Sequence, residues 1–267
     1  MGEFDDEELE ITSGVLYDDK AYDVIKLFFE EHKDKVFFGR QIEVIHERQF
    51  YHWVSNRSLR KLAEDGIIKR EQRVLKTGGI VMIYWHNSLR YYKRPAQNTV
   101  GIVESYSKDI IGSSTGAHGE FLVIEGFAKL QFLLKGRNTS GYNGTKWTAT
   151  AHNLDLIIEK DGIAYGVEVK NTLGYINKEE YEIKMEMCKH LGIRPVFAAR
   201  MLPVIWNYEI YKAGGFALIM KYLMYPEYLQ DLAATMKNEL FLPVDTPKSL
   251  YDGTLNRFNN WHLKNVK

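Results

Sequence analysis

The chain has 267 residues, 45% hydrophobic and 26% charged, with 35 basic and 35 acidic side chains and one cysteine. That is enough apolar material for one large or two small domains with buried cores. No run approaches the roughly 18 to 20 apolar residues that span a bilayer, and the acidic start MGEFDDEELE is unlike a signal peptide, so a protein retained in the cytoplasm with no membrane partner is expected. Cys188, being alone, excludes an intramolecular disulfide framework and a cysteine-built zinc site, and reads as a small core residue.

Charge is balanced overall but not along the chain. Residues 1–31 carry 2 basic and 11 acidic side chains, residues 32–94 carry 14 and 6, and residues 95–267 carry 19 and 18. A basic segment beside a neutral one suits a polyanion-binding module joined to a second domain, or simply a solvated face. Residues 1–20 are expected to form an acidic mobile arm that covers the basic segment when nucleic acid is absent. AYDVIKLFFEEH at 21–32 sets Val24, Leu27 and Phe28 on one helical face. A second helix is predicted from Gly39 to Arg48, with Ile42 and Ile45 inward, and a third from Arg57 to Asp65, capped by Ser55 or Asn56 and ended by Gly66. IIKREQRVLKTGGIVMIYWH then reads as two strands around Lys76-Thr77-Gly78-Gly79. His46, His52 and His86 show no ligand spacing.

Three helices followed by a hairpin is the order of a winged helix-turn-helix, and residues 21–86 resemble that family in pattern, within a domain of 21–94 bounded by YYKRP. The resemblance implies that the third helix enters the major groove of duplex DNA and the wing touches the backbone. Arg57, Arg60, Lys61, Arg73 and Lys76 are then the contact candidates. Winged helices also serve as dimerisation or protein-docking modules.

Residues 95–112 are predicted as a connecting helix with Val100, Val103 and Ile110 as its stripe, and GSSTGAHG at 112–119 as a turn-rich break that opens a second domain, 113–267. EFLVIEGFAKLQFLL, 120–134, reads as a helix apolar on most sides. Glu120 at its start either complements the helix dipole or needs a partner. Residues 137–153 are polar and Gly-rich, and include at most a short strand ending in a mobile loop.

DLIIEKDGIAYGVEVK, 155–170, carries the chemistry. Asp161-Gly162 between two apolar runs signals a two-residue hairpin turn, both positions of which need positive φ. That turn sets the register and puts Asp155 directly opposite Glu168, with Cβ atoms about 5 Å apart, while Lys170 shares the face of Glu168. Two adjacent carboxylates repel unless one is protonated or a cation lies between them. A hard divalent ion held by these carboxylates, water and phosphate oxygens, beside a lysine able to hold the attacking water or the developing charge, suits phosphodiester hydrolysis.

A helix at 178–191 follows, with Tyr181, Met185, Cys188 and Leu191 along one face. Then come a buried strand at 194–200, a helix at 203–213 opening with proline, a buried strand at 216–220 and a helix at 226–238. Residues 240–267 give no clear pattern. There are no internal repeats and no Walker-type phosphate loop. The fold class expected is α/β, with an α+β N-terminal part: a winged helix followed by a mixed sheet flanked by helices.

Asp155 … Glu168-Val169-Lys170 resembles the signature of the restriction-endonuclease-like nucleases, an Asp, then Asp or Glu, one residue, and Lys. The element order from 113 to 220 resembles their core, and Glu120 falls where archaeal Holliday-junction resolvases and related members carry a further acid. Leu154 stands where many members have proline. The resemblance implies Mg²⁺-dependent DNA cleavage, with Mn²⁺ as substitute. Asp155, Glu168 and the Val169 carbonyl would be metal ligands, Lys170 would lie near the nucleophilic water, and Glu120 would act directly or through water. A homodimer would supply two active sites for a double-strand cut, and a monomeric nicking enzyme fits as well. Both a restriction enzyme and a structure-selective or repair nuclease are compatible. The competing readings are a DNA-binding protein that keeps the nuclease fold as a scaffold, and a transposition or virus-encoded factor whose winged helix docks protein.

Overall fold

The computed structural model describes residues 6–266, with side chains from Asp18 onward. It is a mixed α/β protein in two compact units, Met1–Lys108 with Thr235–Leu242, and Asp109–Ala234 with Pro243–Lys267. None of its helices among the described residues is long and apolar enough to cross a membrane.

The first unit runs α1 (Asp6–Glu31), β1 (Val36–Phe38), α2 (Gly39–His46), α3 (His52–Glu64), β2 (Ile68–Val74), β3 (Ile80–His86) and α4 (Lys93–Tyr106). Its sheet is antiparallel with β3 between β1 and β2. Ile25 and Phe29 of α1, Leu59 and Leu62 of α3, and Ile68 and Tyr84 of the sheet close one core. The predicted helices and hairpin are present, with different limits. α1 begins at Asp6, so residues 6–20, expected as an arm, are helical; residues 1–5 lie outside the described part. α3 starts five residues before Arg57, on an extended Tyr51 rather than on Ser55 or Asn56, because Val54, Ser55 and Ser58 are drawn into the interior. β1 is too short to show an alternating pattern, yet all three of its residues are buried. The helix expected at 95–112 is observed as α4, Lys93–Tyr106.

The second unit begins with α5 (Asp109–Lys129), then β4 (Leu133–Thr139), β5 (Gly141–Tyr142), β6 (Thr145–Lys146), β7 (Leu154–Lys160), β8 (Ile163–Lys170) and α6 (Lys178–His190). β9 (Arg194–Ala199), α7 (Val204–Lys212), β10 (Phe216–Ile219), β11 (Leu223–Met224), α8 (Gln230–Leu240), β12 (Val244–Asp245) and α9 (Asp252–Asn265) follow; the end of α8 clusters with the first unit. The five-stranded sheet has the order β10-β9-β8-β7-β4. β8, β9 and β10 are parallel, while β7 is antiparallel to both neighbours. Leu122, Val123 and Phe127 of α5 and Leu255 and Phe258 of α9 pack with Leu156, Tyr165, Val167, Val196 and Leu218. Met187, Cys188 and Leu191 form a separate cluster with Leu154 and Ile157.

Two expectations are corrected here, and one stretch without a clear pattern gains a structure. GSSTGAHG is not a break: α5 runs through it. Packing overrides the poor helix propensity of the segment, since a Cβ on Gly119 would lie 2.4 Å from Cβ of Asn171. The glycine lets α5 approach Asn171, whose amide donates to the Thr115 carbonyl at 2.8 Å. The helix ends at Lys129 rather than Leu134, and Leu133 and Leu134 open strand β4. Residues 240–267 contain β12 and α9, whose Leu255, Phe258 and His262 are buried.

Gly119 and Gly116 lie in the same helix, and nothing comes within 4 Å of a Cβ built on Gly116. Gly119→Ala is expected to destabilise the protein by about 1–3 kcal/mol, whereas Gly116→Ala should stabilise it by about 0.5–1 kcal/mol. Urea denaturation of the two variants checks the opposite signs.

Candidate active site

The candidate site lies at the end of the sheet where β8 finishes and β7 begins. Asp161 and Gly162 adopt φ of 52° and 73°, the left-handed pair that a type I′ turn requires. The ladder from Lys160↔Ile163 to Leu156↔Val167 keeps the register read from that turn. Asp155 and Glu168 come one step beyond its last pair.

Asp155 is docked on the neighbouring strand: its Oδ2 accepts the Val169 N–H at 2.7 Å. Glu168 is only 5% exposed, and its Oε2 accepts from Lys184 Nζ at 2.6 Å. Lys184, equally buried on α6, also donates to the Asn153 carbonyl. Lys170 Nζ lies 3.1 and 3.3 Å from the two carboxylate oxygens of Glu180. α6 is set by its own ends: Asn177 caps it by accepting the Glu179 N–H, acids occupy its first turn, and Lys189 and His190 its last. Asn171, next to Lys170, is buried and bonded in both directions to the backbone of Met224, which anchors the end of β8.

Burial pushes the Asp155 carboxyl up, with a further rise from Glu120, against the Val169 N–H, Lys184 and Lys170. Glu168 is pushed up to about 7, chiefly by burial and then by Asp155, with Lys184 opposing. The Lys184 contact is short, yet desolvation and the neighbouring aspartate outweigh it. Asp155, Glu168 and Glu180 thus share two lysines.

Glu120 lies within α5, not at its start, so the dipole account of it does not hold. It pairs with Arg137 at 3.2 Å and its charge reaches Asp155. Val169 contributes its N–H to Asp155, while its side chain packs on the core. The structure therefore brings Glu168, Lys170 and Glu120 each within electrostatic reach of Asp155. It adds Lys184 and Glu180, which sequence reasoning missed. Lys184 had a signal: it falls on the Tyr181-Cys188 stripe at helical spacing, where a charge requires a partner.

The oxygen donors present suit a hard cation. Oδ1 of Asp155 and Oε1 of Glu168 carry no hydrogen bond among the described residues, and Mg²⁺ needs only one or two carboxylates plus water and substrate oxygens. Among the described residues there is no group of three His, Cys, Asp or Glu side chains around a shared point, so the carboxylate pair is the donor set available.

In the first unit, Arg57, Arg60 and Lys61 share one face of α3, and two of them are engaged by acids of α1. Arg57 makes a two-pronged pair with Asp18 at 2.7 and 3.0 Å, and Lys61 lies 3.7 Å from Asp19. Arg60 is exposed beside them in the same groove. On the hairpin, Arg73 pairs with Glu71 at 3.2 Å, and Lys76 is exposed next to the β2–β3 turn. Comparison with family models, curated proteins and solved structures returns no match for this chain.

Because the Glu168 carboxyl sits near 7 in the folded chain against 4.5 ordinarily, the native state holds the extra proton between those values. The stabilising contribution is full below the lower value and is lost as pH rises through the upper one. Without divalent ions, the urea midpoint of the wild type is expected to fall between about pH 5 and pH 8, and Glu168→Gln to flatten that slope.

Proposed function

We propose that this protein is a metal-dependent endodeoxyribonuclease, with the first unit acting as a winged helix that binds duplex DNA and the second hydrolysing phosphodiester bonds. The observation that carries the reading is the pair of a half-buried Asp155 and a buried Glu168, whose carboxyls are both raised although Lys184 touches one of them. Three ionisable groups at the end of an apolar sheet are costly without a function, and a cation between the carboxylates removes that cost. The order helix, strand, helix, helix, strand, strand in the first unit supports the winged-helix part. In the second unit, the helix with Glu120, three antiparallel strands, a helix and a parallel strand support the nuclease part.

Asp155 and Glu168 would hold Mg²⁺, or Mn²⁺ in its place, through their unengaged oxygens. The ion, when bound, supplies charge neutralisation on the phosphate and an acidified water. Asp155 keeps its orientation through the Val169 N–H, which engages one carboxylate oxygen and leaves the other toward the site. Lys170 faces the site from the adjoining position, held by Glu180, and its ammonium would position the water or meet the charge that develops on phosphate. Glu120 adds negative potential and is itself steadied by Arg137.

A second reading, a non-catalytic DNA-binding protein on the same scaffold, draws on one specific observation: Lys184 already supplies Glu168 with a cation.

The test is cleavage of plasmid, branched and single-stranded DNA with Mg²⁺, Mn²⁺ or EDTA. Metal-dependent cutting is expected, lost by at least a hundredfold in Asp155→Asn and in Lys170→Ala. Purified wild type that binds DNA and cuts none of these substrates rejects the enzyme in favour of the scaffold. For the first unit, Arg60→Ala should weaken duplex binding and lower its salt slope by about 1. Asp18→Asn with Asp19→Asn should strengthen binding by freeing Arg57 and Lys61. A filter-binding titration over salt concentration measures both.

A further inference from the structure

Beside the carboxylate pair the second unit carries a groove of about 620 Å³, walled by the end of β4 and the β5–β6 hairpin. Lys135, Asn138, Thr139, Asn143, Lys146 and Asn153 line it, and no acidic side chain does. The wall is built from local chemistry: Asn143-Gly144 takes φ of 48° and 83°, a left-handed two-residue turn that folds β5 back on β6. The Trp147 N–H donates to the Ser140 carbonyl at 2.7 Å, and a His190 ring nitrogen stands 3.1 Å from the Lys146 carbonyl. The hairpin is thereby tied to α6, the helix that carries Lys184 and Glu180.

Asn153 joins the groove to the site. Its side-chain amide donates to Asn138 Oδ1 at 3.2 Å, and its carbonyl accepts from Lys184, the partner of Glu168. Two residues on is Asp155. Lys135 is drawn toward Glu159 at 3.6 Å, and the hydroxyl of Tyr142 donates to the same carboxylate at 2.6 Å. Lys146 is exposed and has no carboxylate partner among the described residues.

We propose that this groove is the substrate subsite of the second unit, holding the sugar-phosphate backbone of the DNA strand next to the phosphodiester at Asp155 and Glu168. The inference rests on the nuclease reading above. The carboxylates that hold a cation also repel the flanking phosphates of a bound strand, so an adjoining surface must attract them. A groove of amides, hydroxyls and lysines without acids does so, and its shallow, polar form fits a chain backbone rather than an enclosed apolar ligand. Asn138, Asn143 and Asn153 supply neutral donors, and Lys146 the free charge. Asn153 couples the two halves, because the residue that touches the strand also braces Lys184.

The experiment uses the full chain, a fluorescein-labelled duplex and a labelled single strand, with fluorescence anisotropy read in Ca²⁺ and cleavage read in Mg²⁺. Lys146→Ala and Lys135→Ala/Lys146→Ala are compared with wild type, with Lys212→Ala on α7 as a control. The double variant is expected to bind DNA roughly tenfold more weakly, with a salt slope shallower by about 1 to 2, and to recover most of its cutting rate at saturating DNA, a change in KM rather than kcat. If wild type binds and cuts but the double variant matches it in affinity and salt slope, the groove is not the subsite and the nuclease reading stands. If wild type cuts nothing yet the double variant still loses affinity, the groove is upheld and the nuclease reading falls. Wild type that binds neither DNA overturns the groove.

Discussion

The second unit depends on one constraint, the register of the β7–β8 hairpin. A slip of one residue would turn every side chain of one strand to the opposite face, sending Leu156 and Ile158 out of the core and separating Asp155 from Glu168. The Asp161-Gly162 turn sets that register, and a buried network holds it from the other side. His262 of α9, fully buried, lies 2.8 Å from the Tyr165 hydroxyl and 3.2 Å from Asp161 Oδ2. The turn and the middle of β8 are thus tied to one imidazole. Polar groups this deep are tolerable only when paired, and that is why α9, nearly a hundred residues later, is part of the hairpin's specification.

What could be read from the sequence follows from how local each cause is. Asp161-Gly162, the capped helix α6, the buried strand β9 and the place of β10 are decided by neighbours in the chain and were legible, although β10, expected to be buried, is an edge strand with only Leu218 buried. α5 was not, since its glycines mark a break by propensity and a close contact by structure, and the deciding partner, Asn171, lies 52 positions beyond Gly119. β1 has three residues, fewer than alternation needs to show itself. α9 carries a stripe at Leu255, Phe258 and His262, diluted by the polar residues between. For the site, the acids and Lys170 were legible because one turn places them. Lys184 and Glu180 were not, because their role appears only when α6 lies on β8.

The charge asymmetry of the N-terminal third also gains a physical form. Asp18 and Asp19 of α1 meet Arg57 and Lys61 of α3, so part of the acidic excess of the first 31 residues is spent on the basic excess that follows. These pairs are at the surface, where each is worth about 0–1 kcal/mol. Contacts this weak cost little to exchange for another partner. A ligand that took their place would have to present several negative charges in a row, as the proposed duplex does.

The two lysines of the site differ in what surrounds them, and the difference separates their roles. Lys184 is almost wholly buried and answers to two fixed acceptors, Glu168 and the Asn153 carbonyl. An ammonium so enclosed cannot reach a substrate without breaking both bonds, and removing it would push the Glu168 carboxyl further up, so that it takes a proton and leaves the Asn153 carbonyl without its donor. Lys170 is partly exposed and held by the half-buried Glu180 alone, an arrangement that costs little to exchange. Lys184 therefore belongs to the framework that keeps Glu168 in place, and Lys170 is the more accessible of the two, the one to which the proposed function gives contact with a phosphate. The buried Lys184–Glu168 pair contributes little to stability as such. Its consequence is positional: it fixes Glu168 at the sheet's end beside Asp155, which the Val169 N–H holds, with the partly exposed ammonium of Lys170 on the adjoining position.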